Sequence, residues 1–277
     1  MRHIHLSDLH HQLDWKRRSL WSSGWRGAPG RFELHALGRL GRFHNAHDNI
    51  RRLVDHALEA EPAQVLLTGD LTALGDPAEL TEARALLAPL IDAGRLMLIP
   101  GNHDRYVEGA ATPAFERVFA DQLKSDFPEY GGWPFVKLLG ERHAVIGLDS
   151  TRGVSGWTHY FFGRIGAEQL AALERLLDDP RLARRTLLVM VHHGPHGPDG
   201  RHDWKESGLL DGKALMALLH DRPTVVLHGH SHERYWHRAS GGVPHRLGAG
   251  SSTEHEAYCE IELDDHRAVE VVARPLR

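Results

Sequence analysis

Five strand-like runs in this chain each break off into a cluster of polar residues, and that recurrence limits the available folds more than any other feature. "HIHL" runs into "SDLH", "QVLL" into "TGDLT", "LMLI" into "PGNHD", "TLLVMV" into "HHGP" and "TVVL" into "HGHSH". Short apolar runs closed by Gly or Pro read as strands buried on both faces. Helical patterns separate them, at 45–60, where Ile50, Leu53, Val54, Ala57 and Leu58 share one face, and at 78–92, 166–178 and 210–220. Alternation of this kind predicts an α/β architecture. A further strand is expected at 143–149, and the stretch containing "EYGGWPF" reads as irregular. The C-terminal part departs from this alternation. There "RYWHRAS", "VPHRLGA", "AYCEIEL" and "AVEVVAR", joined by "SGG" and "DDH", predict a second sheet of antiparallel strands.

No repeat, low-complexity tract or linker interrupts the 277 residues, so one domain over 1–277 is expected. No apolar run reaches the roughly 18 residues of a membrane span, and "MRHIHLSDLH" has no signal-peptide apolar core. The lone cysteine, Cys259, excludes an intramolecular disulfide, suits a reducing cytoplasm and reads as a core thiol. A net charge of −4 without a broad basic face argues against duplex nucleic acid.

A turn needs Gly, Pro or Asn, not the histidines and carboxylates found at these strand ends. In open α/β sheets the carboxyl ends of strands form the ligand crevice. Asp8, His10, Asp70, Asn102, His192, His230 and His232 would all arrive there, seven nitrogen or oxygen donors with no sulfur. That exceeds the three or four protein ligands of one catalytic zinc and suits two ions sharing a carboxylate. The donor set fits manganese, iron or zinc.

In this order, "SDLH", "TGDLT", "PGNHD", "VHHGP" and "HGHSH" resemble the calcineurin-like metallophosphoesterase superfamily, and its bacterial phosphodiesterase branch in particular, from residue 4 to about 253. The resemblance implies a four-layer αββα sandwich, two mixed sheets flanked by helices, with a dimetal site at the strand C-terminal edge. It places one ion on Asp8, His10, Asp70 and His232 and the other on Asp70, Asn102, His192 and His230, with His193 a substitute for His192. His103 would then stabilise the phosphoryl group or protonate the leaving alkoxide, and Asp104 would orient His103 and raise its pKa. The implied activity is hydrolysis of a small-molecule phosphate ester by in-line attack of a hydroxide held between the metals, with a phosphodiester favoured. A pyrophosphatase resembling UDP-2,3-diacylglucosamine hydrolase, a phosphomonoesterase and a non-catalytic scaffold of the same fold are the alternatives.

Residues 15–45 stand apart. Lys16, Arg17, Arg18, Arg26, Arg31, Arg39 and Arg42 face a single acid, Glu33, with Trp15, Trp21, Trp25 and Phe32 interleaved. The segment reads as a cap gripping an anionic or lipid-bearing substrate, or as a basic, partly packed surface excursion. Contact with an anionic membrane surface is a weaker alternative. Of the other histidines, His35, His44, His47 and His56 read as surface residues and His3 and His5 as structural; His159, His196 and His202 stay open.

Overall fold

A computed structural model describes residues 1–13, 39–106, 114–152, 161–202, 208–264 and 269–276. Most of the basic insertion, His35 and His159 lie outside the described residues.

Eleven strands are present among the described residues: β1 (Arg2–Leu6), β2 (Gln64–Leu67), β3 (Leu96–Leu98), β4 (Phe135–Leu139), β5 (His143–Gly147), β6 (Thr186–Met190), β7 (Thr224–His228), β8 (Arg234–His237), β9 (His245–Ala249), β10 (Ala257–Leu263) and β11 (Val269–Pro275). They form a five-stranded sheet, β11-β10-β1-β2-β3, and a six-stranded sheet, β4-β5-β6-β7-β9-β8. In the first, β1, β2 and β3 run parallel while β10 and β11 are antiparallel. In the second, β5, β6, β7 and β9 are parallel, with β4 and β8 antiparallel at the edges. The helices are α1 (Arg39–Arg42), α2 (Ala46–Ala60), α3 (Pro77–Leu86), α4 (Ala88–Asp92), α5 (Ala114–Val118), α6 (Ala167–Leu177) and α7 (Gly212–Leu218).

Side-chain alternation explains the layers. In β2, Val65 and Leu67 pack outward with Ile50, Leu53 and Val54 of α2 and Leu80 of α3. Leu66 points inward to Met97, Leu188, Met190, Val225 and Leu227, the apolar seam between the sheets. On the far face Ile146, Val189 and Val226 meet Leu173 of α6 and Leu215 of α7. The result is helix, sheet, sheet, helix, as the resemblance implies. Cys259 lies fully buried in the inter-sheet seam, where burial pushes its thiol up to about 11. No helix among the described residues is long and apolar enough to cross a membrane.

Three local expectations need correction. The C-terminal strands do not form a sheet of their own: β9 adds in parallel beside β7, with β8 outside it, and β10 adds antiparallel beside β1, with β11 outside it. Central strands β1 and β7 each have a second edge of backbone N–H and C=O groups that must be paired when buried. The single helix expected at 78–92 is two, α3 and α4, meeting at Leu87. Pro89 has no N–H to offer the carbonyl four residues back, so the first helix cannot continue. The stretch read as irregular supplies β4, held on β5 through Phe135↔Gly147 to Leu139↔His143.

Candidate metal centre

The polar clusters lie where β1, β2, β3, β6 and β7 end, and the backbone there is unusual. Among the described residues, eight non-glycine residues have positive φ, and five are Asp8 (54°), His10 (48°), Asp70 (52°), His230 (72°) and His232 (56°). Left-handed backbone at bulky residues costs energy and is kept where the surroundings enforce it, typically at functional sites. Glycines make room for it. Gly69 sits at φ 93°, and a Cβ there would press on Gly101 and on His192 Nδ1; one on Gly101 would run into the Asp70 carboxylate. A Cβ on Gly229 would strike Ser7 Oγ and Asp8.

The seven donors singled out in the sequence meet in one cluster, five of them buried and His230 and His232 half-buried. His10 Nε2 is 3.0 Å from His232 Nε2, 3.9 Å from Asp8 Oδ1 and 3.8 Å from Asp70 Oδ2. His232 Nε2 is 3.4 Å from Asp8 Oδ1. On the other side, His192 Nε2 is 3.4 Å from the same Asp70 oxygen and 3.0 Å from Asn102 Oδ1. His230 Nδ1 lies 3.3 Å from that amide oxygen. Two ligands about 2.1 Å from one ion stand between roughly 3 Å apart when adjacent and 4.2 Å when opposite. All seven separations fall in that span, and Asp70 Oδ2 faces both groups.

Lone pairs point at lone pairs here. His192 donates Nδ1–H to the Thr68 carbonyl at 2.7 Å, so Nε2 is the ring nitrogen left to face Asp70 and Asn102. His232 donates Nδ1–H to Glu254 Oε2 at 3.1 Å, which likewise leaves Nε2 to face Asp8 and His10. Asn102 donates Nδ2–H to Tyr106 Oη at 3.1 Å, turning Oδ1 into the cluster. Such an arrangement repels itself unless a positive charge lies between the donors. Protonation shows the same demand. Burial opposes a charged His192, yet the Asp70 and Asp8 carboxylates push it up to about 9. Burial also opposes a charged Asp70, but His192 and His103 hold it well below the usual carboxylate range. Burial, with His192 close by, pushes His230 down to about 4, so that ring stays neutral. The donors therefore fit a pair of cations.

His103 and Asp104 are both buried beside these groups. Asp104 accepts from Leu71 N, Thr72 N, Thr72 Oγ1 and Gly101 N, so its oxygens tie the loops after β2 and β3 together. Burial and the neighbouring Asp70 charge lift it above the ordinary carboxylate value. His103 donates Nδ1–H to the Ala73 carbonyl at 2.8 Å, which orients its ring. Its Nε2 lies 3.1 Å from Tyr106 Oη, accepting when the ring is neutral and donating when it is protonated. Tyr106 thus touches both Asn102 and His103, a role its place two residues beyond "GNHD" does not signal. His193 faces the cluster less directly: Ser150 Oγ holds its Nδ1 at 2.8 Å, and its ring lies 4.4 Å from that of His230.

The remaining histidines divide. His3 and His5 are fully buried within β1, and His44 and His47 are exposed. His56 is half-buried on α2. His202 donates Nδ1–H to the Pro195 carbonyl at 2.7 Å and sits 6.0 Å ring to ring from His196, in the loop after "VHHGP".

Comparison with known proteins gives a consistent picture. Residues 1–234 match the calcineurin-like phosphoesterase family. A Vesicomyosocius okutanii protein named "Probable cyclic nucleotide phosphodiesterase" is 25% identical over 192 residues, 68% of this chain and 70% of that one. Glycerophosphodiester phosphodiesterase GpdQ of Enterobacter lignolyticus is 28% identical over 179 residues, 64% of this chain but 58% of that relative. Among solved structures, a dimetal phosphatase from Danio rerio superposes with a TM-score of 0.64 at 14% identity, over 100% of this chain and 99% of that one. Purple acid phosphatase PPD1 of yellow lupin, Lupinus luteus, gives 0.60 at 14% identity, over 99% of this chain and 51% of that one. Structural likeness at identities this low speaks for shared fold alone. By the match over residues 1–234, this chain belongs to the calcineurin-like phosphoesterase family.

Proposed function

We propose that this protein is a two-metal phosphodiesterase. The observation that carries the reading is the convergence of seven nitrogen and oxygen donors, five on left-handed backbone, around a shared Asp70 oxygen. Asp8, His10, Asp70 and His232 would hold one cation, and Asp70, Asn102, His192 and His230 the other. Manganese, iron and zinc all suit this donor set. When bound, such a pair neutralises phosphoryl oxygens and supplies hydroxide near neutral pH.

The protein's own groups do the rest. Asp70 keeps Oδ2 for the cations because Oδ1 accepts the His103 backbone N–H at 2.9 Å. His103, with Nδ1 anchored on Ala73, carries and releases a proton only at Nε2, the atom that would protonate the departing alkoxide. Asp104 takes no proton-transfer role; it keeps the two ligand-bearing loops in register. Diester preference is supported by the names of the relatives at 25% and 28% identity.

The test sets cyclic nucleotides, glycerophosphodiesters, nucleoside-diphosphate lipids and p-nitrophenyl mono- and diesters side by side under Mn²⁺, Fe²⁺ and Zn²⁺. Diesters should turn over fastest, and Asp70→Asn should lose about 10³-fold while its circular dichroism is unchanged. That loss corresponds to the several kcal/mol a metal clamp supplies at about 1.4 kcal/mol per decade. Preference for monoesters would remove the diesterase assignment, and full activity in Asp70→Asn would remove the two-metal mechanism.

A further inference from the structure

The basic insertion reaches the metal centre at its C-terminal root. Phe43, at 3% exposure, lies 4.5 Å ring to ring from His10 and 5.8 Å from His232. Its neighbour Arg42 donates Nε–H to Glu254 Oε1 at 2.7 Å. The other oxygen of Glu254 accepts from His232 Nδ1 at 3.1 Å. A continuous chain therefore runs from the insertion through Arg42 and Glu254 to the ring of His232, while the Phe43 ring packs beside both imidazoles.

The turn that carries Glu254 holds the same side of the site by other bonds. Ser251 Oγ donates to the Asp8 carbonyl at 2.8 Å. Thr253 Oγ1 donates to the Leu9 carbonyl at 3.0 Å. His255 Nε2 donates to the His232 carbonyl at 2.8 Å. Asp8 and His232 are both on left-handed backbone, so they need such external restraint. None of these bonds reaches Asn102, His192 or His230.

We propose that Arg42, Phe43 and Glu254 are positioning residues for the first cation alone, so that the insertion's root sets the affinity of that position. The inference rests on the two-cation reading above. A carboxylate on the far nitrogen of a histidine fixes its tautomer and makes the ligating nitrogen more basic, and removing such a partner typically weakens metal binding 10- to 100-fold. Arg42 acts one step further out, through a half-exposed ion pair, and its effect is correspondingly smaller.

The experiment is titration of the chelator-stripped full chain with Mn²⁺, followed by calorimetry and by competition with a fluorescent chelator. Glu254→Gln should weaken one of the two binding events 10- to 100-fold and leave the other unchanged. Arg42→Ala should weaken the same event by up to about fivefold. Phe43→Leu, which keeps an apolar wall, should stay within about threefold of wild type. The untouched second event serves as the internal control for folding. Equal weakening of both events, or wild-type affinity at both in Glu254→Gln, overturns the proposal. Because no substrate enters the titration, a wild-type protein that binds two ions yet hydrolyses nothing would remove the hydrolytic reading and leave this one standing.

Discussion

Tyr106 shows how much one hydroxyl decides at the residue scale. It accepts from Asn102 Nδ2 and lies 3.1 Å from His103 Nε2, where its oxygen accepts when that ring is protonated, so one side chain fixes the direction of a proposed ligand amide and holds the proposed acid. Tyr106→Phe should lower turnover about tenfold on alkyl phosphodiesters, whose leaving group needs a proton. On a p-nitrophenyl diester, whose leaving group departs as a stable anion, the loss should be small. Equal losses on both would show that the hydroxyl acts on binding or folding instead. Six of the seven donors are readable from the sequence because each is a histidine or carboxylate that neither a turn nor a core requires, and Asn102 is readable from its company in "PGNHD". Tyr106 and Glu254 are not, since a tyrosine in a loop and a glutamate near a turn have ordinary explanations. Asp104 has partners that its place beside His103 does not signal: besides Gly101, it holds Leu71 and Thr72, at separations of 33 and 32 residues.

Among the elements, the 3-10 turn His103–Arg105 depends on a buried charge network. Arg105, 2% exposed, donates both Nη groups to Glu116 of α5 at 2.7 Å and reaches Asp149, beyond β5, at 2.9 Å. Burial would lift Glu116, but Arg105 and Arg152 bring it down to about 2. Arg105→Gln leaves Asp149 and Glu116 without their shared buried cation and should cost about 3–5 kcal/mol, read from urea unfolding midpoints. Arg105→Lys should fail to recover most of it, since an ammonium cannot make the paired contacts of the planar fork. A loss below about 1 kcal/mol, the scale of an exposed pair, would mean water or Arg152 replaces the network. The parallel strands other than β9, and the helices α2, α6 and α7, are legible from apolar periodicity. The break at Leu87 is signalled by Pro89 but masked by the length of the pattern, and β4 is hidden because Gly and Pro dominate the residues before it.

For the molecule as a whole, burial of histidine makes stability depend on acid. His3 and His5 are fully buried in β1, and neither nitrogen of His3 meets a hydrogen-bond partner among the described residues. Burial first, then neighbouring positive groups, pushes both down to about 3 from the ordinary 6.5. Below pH 6.5 the unfolded chain takes up protons that the folded chain refuses, so stability is full above pH 6.5 and falls as pH drops toward 3. The loss should be about 2 kcal/mol per histidine at about pH 5. Denaturant midpoints at about pH 7.5 and pH 5 measure it, and His3→Leu should reduce the difference by about 2 kcal/mol. An unchanged difference in His3→Leu would place the acid sensitivity elsewhere.

The sequence by itself determined the parallel strand cores, the polar residues at their ends and hence the family, because these are properties of short segments: apolar runs, glycine-permitted turns and donor types within a few positions of each other. Tertiary structure alone decided which lone pairs confront one another, which outer groups hold the histidines, and how the C-terminal strands divide between the sheets. Those outcomes depend on partners as remote as His10 and His232, or Ser251 and Asp8, whose meeting is a consequence of packing two sheets face to face.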